Sequence, residues 1–329
     1  MARFSSNIFR ISSLLAASVF AFAHNSQAAE WPSQPIRLVV PFPAGGPTDS
    51  AARVYADELG KRLGSVIVVE NKPGASGAVA AGQFLNAVPD GHTLMMIVTP
   101  TILAPHFFET INFDPANDFA PVTKIYDLPN VIAVNPNELP EVKTLQELFD
   151  TSSKADPALM YTSSGTGSSG HLSMELMKSR KLTNMEHVAY KGSAPAMRDT
   201  VGGVVPVIYA DMVTALPQIK AGRINAVAVG TPERVKVLPD VPTMAEQGFG
   251  GYEASSWGGV LAPKGTPQDI IDRLSEESRE ILASEELAAR FDQIGILPAF
   301  LTPEKTHELL ESDFSRWGEV IRDNDMGGK

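Results

Sequence analysis

The chain has 329 residues, 43% of them hydrophobic, no cysteine and a formal net charge of −11. That length buries a substantial core and predicts two domains rather than one. Without cysteine there is no disulfide framework, thiolate metal site or lipid-attachment residue, and the acidic balance disfavours nucleic acid and anionic membranes as partners.

Arg3 and Arg10 flank a basic start, residues 11–23 form an apolar run, and Ser26-Gln27-Ala28 fits a small-x-small cleavage site. This pattern predicts a secretory signal peptide over residues 1–28. The run falls short of the roughly 20 apolar residues of a spanning helix, so a soluble, periplasmic, monomeric protein is expected. The signal carries two arginines and no acids, which leaves the mature chain more acidic than the whole.

Residues 36–41 read as a buried strand, 49–63 as an amphipathic helix, 66–69 as a second strand, 78–87 as a helix and 94–98 as a third strand. This β-α-β-α-β order predicts a parallel sheet with helices on its faces. A second series follows, with strands expected at 131–134, 159–162, 188–190, 205–209 and 226–229, and helices at 144–152, 171–179, 194–201 and 216–221. Leu238-Pro239-Asp240-Val241-Pro242 ends that unit, since two prolines cannot sit inside an element. Beyond it come a strand at 256–261 and helices at 267–283 and 303–323, with Thr266 and Thr302 as capping hydroxyls before Pro267 and Pro303. In the last helix Leu309, Leu310, Phe314, Trp317, Val320 and Ile321 share one stripe, which docks it on the first domain. The expected division is therefore 31–126 plus 250–329 as one α/β domain and 127–249 as the other, with two crossovers forming a hinge.

Two glycine-rich loops stand out, Phe42-Pro43-Ala44-Gly45-Gly46-Pro47-Thr48-Asp49 and Ser163-Ser164-Gly165-Thr166-Gly167-Ser168-Ser169-Gly170-His171. Each leads from a strand into a helix, where free amides and the positive end of the helix favour an anion. Both lie beyond strand carboxyl ends and so face the interdomain cleft. The bland reading of the first is a helix start with Pro47 as first residue and Asp49 as cap. Pro41 to Ala44 adds a rigid approach and one aromatic ring, that of Phe42. In the second, His171 is placed to donate to a carboxylate. The remaining mature histidines, His92, His106, His187 and His307, show no metal spacing, and no metal or cofactor is expected.

Gly165-x-Gly167-x-x-Gly170 also fits a dinucleotide fingerprint, with Glu186 in the ribose-binding position. A dinucleotide-dependent oxidoreductase using Gly165 to Gly170 therefore stands as the alternative. A hydrolase built on Ser163, Ser168 or Ser169 beside His171 is a third reading. No Gly-Lys-Ser/Thr, Gly-x-Ser-x-Gly or His-Glu-x-x-His motif occurs.

Residues 31–49, ending in Pro41-Phe42-Pro43-Ala44-Gly45-Gly46-Pro47-Thr48-Asp49, resemble the start of mature tripartite tricarboxylate transporter receptors, the Bug-type periplasmic solute-binding proteins. Further matches in family order are residues 69–77, 89–94, 118–122, 190–196, 238–243 and 256–263. The resemblance implies a two-domain Venus-flytrap fold of the type II-like periplasmic-binding-protein class with two interdomain crossovers. It further implies capture of a small organic acid in the cleft and an integral membrane permease as partner. Carried onto this chain, the resemblance places one carboxylate on the loops 44–49 and 163–168; with the reading of the residues themselves, the candidate binding residues are Phe42, Ala44, Gly45, Gly46, Asp49, Ser163, Thr166, Gly167, Ser168, His171, Tyr190 and Asp211. Ala104-Pro105-His106 departs from a common Asn-Pro, Ala189 replaces a usual proline, and Asp211 stands one place off the usual polar position.

Overall fold

The computed structural model describes residues 31–180, 182–250, 255–324, 326 and 327. The predicted signal peptide lies outside the described residues. Gln34–Lys329 forms one compact unit, and within it the chain builds two sheets.

The first stretch runs β1 (Ile36–Val40), α1 (Pro47–Leu63), β2 (Ile67–Asn71), a short turn of 3-10 helix (Ala75–Gly77), α2 (Ala78–Phe84), β3 (Thr93–Val98), α3 (Thr99–Phe107) and β4 (Phe119–Leu128). After Pro129 come β5 (Asn130–Val134), α4 (Leu145–Lys154), β6 (Leu159–Ser163), α5 (Ser169–Ser179), β7 (Met185–Val188), α6 (Ser193–Val201), β8 (Val207–Asp211), α7 (Met212–Lys220) and β9 (Asn225–Val229). The chain ends with β10 (Ser256–Pro263), α8 (Gln268–Leu282), α9 (Glu285–Gln293), β11 (Leu297–Leu301) and α10 (Pro303–Asp323).

Strand order is β11-β4-β10-β3-β1-β2 in the six-stranded sheet and β7-β6-β8-β5-β9 in the five-stranded one. Neither is purely parallel, contrary to the sequence expectation. β10 runs antiparallel to both β3 and β4, because it re-enters the first sheet from the end at which β4 leaves it. β5 is likewise antiparallel to β8 and β9. The loops after β1, β2 and β3 nevertheless share one end of the first sheet, as do those after β6 and β8 in the second, since each group is mutually parallel.

Helix starts follow residue chemistry. Pro47 opens α1 and left-handed Gly64, at φ 64°, closes it, in the arrangement proline and glycine favour at the two ends. Thr302 caps α10 by accepting from Lys305 N–H. Thr266 does not cap α8 as predicted; its hydroxyl donates to the Pro263 carbonyl, and Pro267 occupies the capping position. The stripe of α10 joins Met95, Ile97 and Leu261 in one core, with Leu310, Trp317 and Ile321 buried and Leu309, Phe314 and Val320 against its rim. Two further cores cover the faces of the second sheet, one around Tyr161, Met177 and Tyr209 and one around Ile208, Ala210 and Ala215. Leu172 of α5 belongs to the core of the first sheet while Met174 and Met177 of the same helix belong to the second.

Candidate functional site

The loop after β1 is held by one carboxylate. Asp49, on α1, is 3% exposed. Its Oδ2 accepts from Gly45 N–H and from Arg53 Nε, both at 2.9 Å, and its Oδ1 from Asn71 Nδ2 at 2.9 Å, with an Arg53 terminal nitrogen also at 2.9 Å. Asn71, at the carboxyl end of β2, also donates to the Phe42 carbonyl at 3.0 Å. Burial by itself pushes the Asp49 pKa up, but hydrogen bonds from Arg53, Gly45 and Asn71 outweigh it and hold the group below the ordinary carboxylate range. Asp49 therefore shapes the loop and has little acceptor capacity left for anything else. Gly45 sits at φ +82°, a conformation side chains resist, whereas Gly46 is extended at φ −85° and is the capping residue of α1 with no side-chain cap. Ala44 and Gly45 are exposed, Phe42 and Gly46 half-buried. The start of this 17-residue helix thus has no side-chain cap, and its first residue, Pro47, has no N–H to satisfy.

The loop after β6 is built differently. Ser168 caps α5 by accepting from His171 N–H at 3.3 Å, and its own hydroxyl donates to Ser163 Oγ at 3.1 Å. Ser163 Oγ lies 2.9 Å from His187 Nε2 and 3.2 Å from the Gly165 carbonyl oxygen. Gly167 N–H donates to His171 Nδ1 at 3.2 Å, and Ser168 N–H to the Gly165 carbonyl at 3.1 Å. His171 and His187 lie ring against ring at 4.1 Å between centroids. Burial drives the His171 pKa down to about 4 and that of His187, beside His171, to about 3, so both are neutral at pH 7. His171 thus accepts through Nδ1 within its own loop. Thr166 is exposed at the tip, and Ser163, Ser168 and Gly167 are buried.

The glycine spacing of this loop has a packing cause. A Cβ on Gly167 would stand 2.7 Å from Phe107 of α3, and one on Gly170 would stand 2.7 Å from the Tyr209 carbonyl oxygen. A Cβ on Gly165 would stand 3.0 Å from the Tyr190 carbonyl oxygen, so all three fingerprint glycines press against protein. Glu186 falls inside β7, paired with Met160, and not at a strand end. β7 itself lies at 185–188, ahead of the predicted 188–190, which leaves Tyr190 in the following loop. Its hydroxyl donates to Asp199 at 2.7 Å.

Asp211 closes β8 and caps α7, which starts four residues before the predicted 216. Its Oδ1 accepts from Thr214 N–H at 2.9 Å and Thr214 Oγ1 at 3.0 Å, and its Oδ2 from the Ser193 hydroxyl at the start of α6. Burial raises its pKa against those hydrogen bonds. Sequence reasoning missed a buried tyrosine. Tyr126 of β4 is fully buried, its hydroxyl pairs with Thr48 in the first turn of α1, and the charge of Asp211 joins burial in raising its pKa. Its ring fills the space over Gly258 of β10, where any Cβ would collide with it. Tyr126 thus ties β4 to the start of α1. No local pattern announces it, since Thr48 lies 78 residues before it in the chain; Gly258 opposite an aromatic residue is its only trace.

Among the described residues no group of His, Cys, Asp or Glu could hold a metal ion, and no helix is long and apolar enough to cross a membrane. Two open hollows of about 560 and 390 Å³, beside Glu147 and Asp150 and beside Arg37 and His92, lie away from these loops.

A family model described as tripartite tricarboxylate transporter family receptor matches residues 51–326. Protein BugT of Bordetella pertussis is 33% identical over 298 residues, 90% of this chain and 91% of that one. A solved Rhodopseudomonas palustris protein with adipate superposes with a TM-score of 0.83 at 34% identity, covering 90% of this chain and 99% of the other. MatC from the same organism, with bound malate, gives 0.78 at 31% identity, covering 88% and 100%.

Proposed function

Because the chain belongs to the tripartite tricarboxylate transporter receptor family, a family of periplasmic solute-binding proteins with a two-domain α/β fold, we propose that it captures a small organic acid between its two sheets and presents it to an integral membrane permease for uptake. The lobes of this receptor are residues 31–126 with 250–329, and 127–249. One carboxylate of the solute docks on the amides at the uncapped start of α1. The observation that carries this reading is the absence of a side-chain cap on α1, in a loop whose own carboxylate already serves Gly45, Arg53 and Asn71.

The residues that meet the solute are Ala44, Gly45, Gly46 and Phe42 from one side and Thr166, Tyr190 and Asp211 from the other. Ser163, Gly167, Ser168 and His171 shape the second wall. Hydrogen bonds to a charged group contribute about 1.5–3 kcal/mol each, so three or four reach the roughly −8 kcal/mol of micromolar affinity without a cationic side chain. Relatives with adipate and malate bound support an organic acid as the cargo class. Closure on the solute gives the permease a shape to distinguish from the empty receptor.

A thermal-shift screen over organic acids, followed by calorimetry on the positives, tests the proposal. Ligand binding to the native state raises the melting temperature, and at least one carboxylate is expected to do so with micromolar affinity or better. A protein that responds to no carboxylate but retains a dinucleotide on purification would return the case to the oxidoreductase reading.

A further inference from the structure

Resting on that reading, we infer that the start of α3 belongs to the solute site, and that the hydroxyls of Thr99 and Thr101 donate to the carboxylate docked on α1. Thr99 and Thr101 are 2% and 0% exposed, and neither hydroxyl has a hydrogen-bond partner among the described residues. Threonines within other helices of this chain are satisfied: Thr151, Thr200 and Thr306 each donate to the carbonyl one turn back. For Thr99 and Thr101 the residues four places back are Met95 and Ile97, which lie in the extended strand β3, so the first turn of α3 has no such acceptor. Val98, ahead of them, gives the helix no side-chain cap. A buried hydroxyl without a partner is costly, and valine would fill the same volume without that cost.

Topology places this helix start beside the anchor of the solute. β2, β1 and β3 are parallel neighbours in that order. The chain moves from β1 to β2 on one side and returns past β1 to β3 on the other, so right-handed crossovers put α1 and α2 on opposite faces. Accordingly, Tyr55 of α1 pairs with Ser278 of α8 at 2.6 Å, whereas Ala81 and Phe84 of α2 share a core with Ile102 and Phe107 of α3 and Leu310 of α10. The helices part between the ends of β1 and β3, and the ligand of an open α/β sheet sits where they part. Packing ties both threonines to the loop after β1. A Cβ on Gly77 would collide with Thr101 Oγ1 and stand 3.0 Å from Cβ of Pro41, the first residue after β1. Val98, next to Thr99, lies opposite Gly258, and Gly258 lies opposite Tyr126, whose hydroxyl pairs with Thr48 in the first turn of α1. Two donors without an acceptor thus stand across the β1–β3 crevice from an uncapped helix start, and one carboxylate answers both needs.

The test uses the fact that serine and alanine differ only by the hydroxyl. Thr99→Ser, Thr99→Ala, Thr101→Ser, Thr101→Ala and the wild-type protein are titrated by calorimetry with acetate, butanoate, succinate, malate, adipate and citrate. For the acid that binds wild type best, each serine variant is expected to keep its affinity within three-fold. Each alanine variant is expected to bind ten-fold or more weaker than its serine counterpart. Melting temperatures without acid should not fall from serine to alanine, because the hydroxyls support no contact within the fold. Alanine variants that bind as well as their serine counterparts overturn the inference, since the hydroxyls then serve an ordered water or nothing. A loss of affinity that comes with a lower melting temperature of the acid-free alanine variant overturns it too, by making the role structural. If none of the six acids binds wild type, the inference falls together with the carboxylate reading, whereas equal binding by serine and alanine variants removes the inference alone.

Discussion

The two glycine-rich loops look alike as sequence and behave as opposites in hydrogen bonding. After β1, the amides at the start of α1 have no side-chain cap, and a buried Asp49 ties the loop from behind. After β6, Ser168 caps α5, Gly167 N–H is taken by His171, and a serine-histidine network fills the space beneath. Glycine therefore has two uses here. In the first loop it admits φ +82° at Gly45, so that this amide turns onto Asp49, and in the second it lets a loop pack tightly on Phe107 and Tyr209. Under the proposed function, only the first use serves the carboxylate of the solute.

Variants of each loop sharpen this contrast. The largest effect is expected from Asp49→Ala, which leaves Gly45 N–H, Asn71 and the Arg53 guanidinium without their acceptor. At about 1.5–3 kcal/mol per charged hydrogen bond lost, affinity for the cognate acid should weaken on the order of 100-fold by calorimetry. An affinity within three-fold of wild type would detach the loop from the site. Next, Gly45→Val places a β-branched side chain at φ +82° in open space, so about 1–3 kcal/mol of backbone strain should appear as a roughly ten-fold or greater loss of binding with little loss of fold. Gly167→Ala should do the reverse. Its Cβ meets Phe107 at 2.7 Å, so roughly 1–3 kcal/mol of stability should go, seen in denaturant melts, with a smaller change in affinity.

Acid provides a fourth probe, specific to the second loop. The native pKa values of His171 and His187, about 4 and about 3, lie below the unfolded value of about 6.5. Their neutral forms thus favour the native state fully above pH 6.5, and that contribution is lost as pH falls from 6.5 through the native values. The melting temperature should drop between pH 6.5 and 4, and His187→Gln should flatten the drop; equal pH profiles for the two proteins would break the assignment. The smallest effect belongs to Gly46→Ala. Gly46 is extended and its Cβ would meet only the Pro43 carbonyl at 3.6 Å, so affinity should change less than three-fold.

How much of this was legible in the chain depended on distance along it. β1, α1 and the loop between them follow from a valine-rich run and a Gly-Gly-Pro-Thr-Asp start, all local signals. α10 is equally local, and its stripe and capping threonine fix its bounds. β4 and β11 escaped because Pro121, Lys124 and Pro298 break the strand pattern, and their pairings carry irregular registers. In the site, Asp49 with Arg53 one helical turn on is readable, but Asn71, His187 and Tyr126 reach their partners only through the packing of sheets.

Leu172 draws out a mechanical consequence. It sits in the core of the first sheet although its helix belongs to the second, and beside it Ser169 is linked to Asn130 and, at 2.7 Å, to Ser256, a residue at the return crossing. Any jaw-like movement of one sheet against the other must either extract this leucine or turn about it. Turning about it makes α5 the fulcrum. The wall formed by Ser163 to Ser168 then rides close to the axis, and with it the backbone of Tyr190, whose carbonyl oxygen would stand 3.0 Å from a Cβ on Gly165.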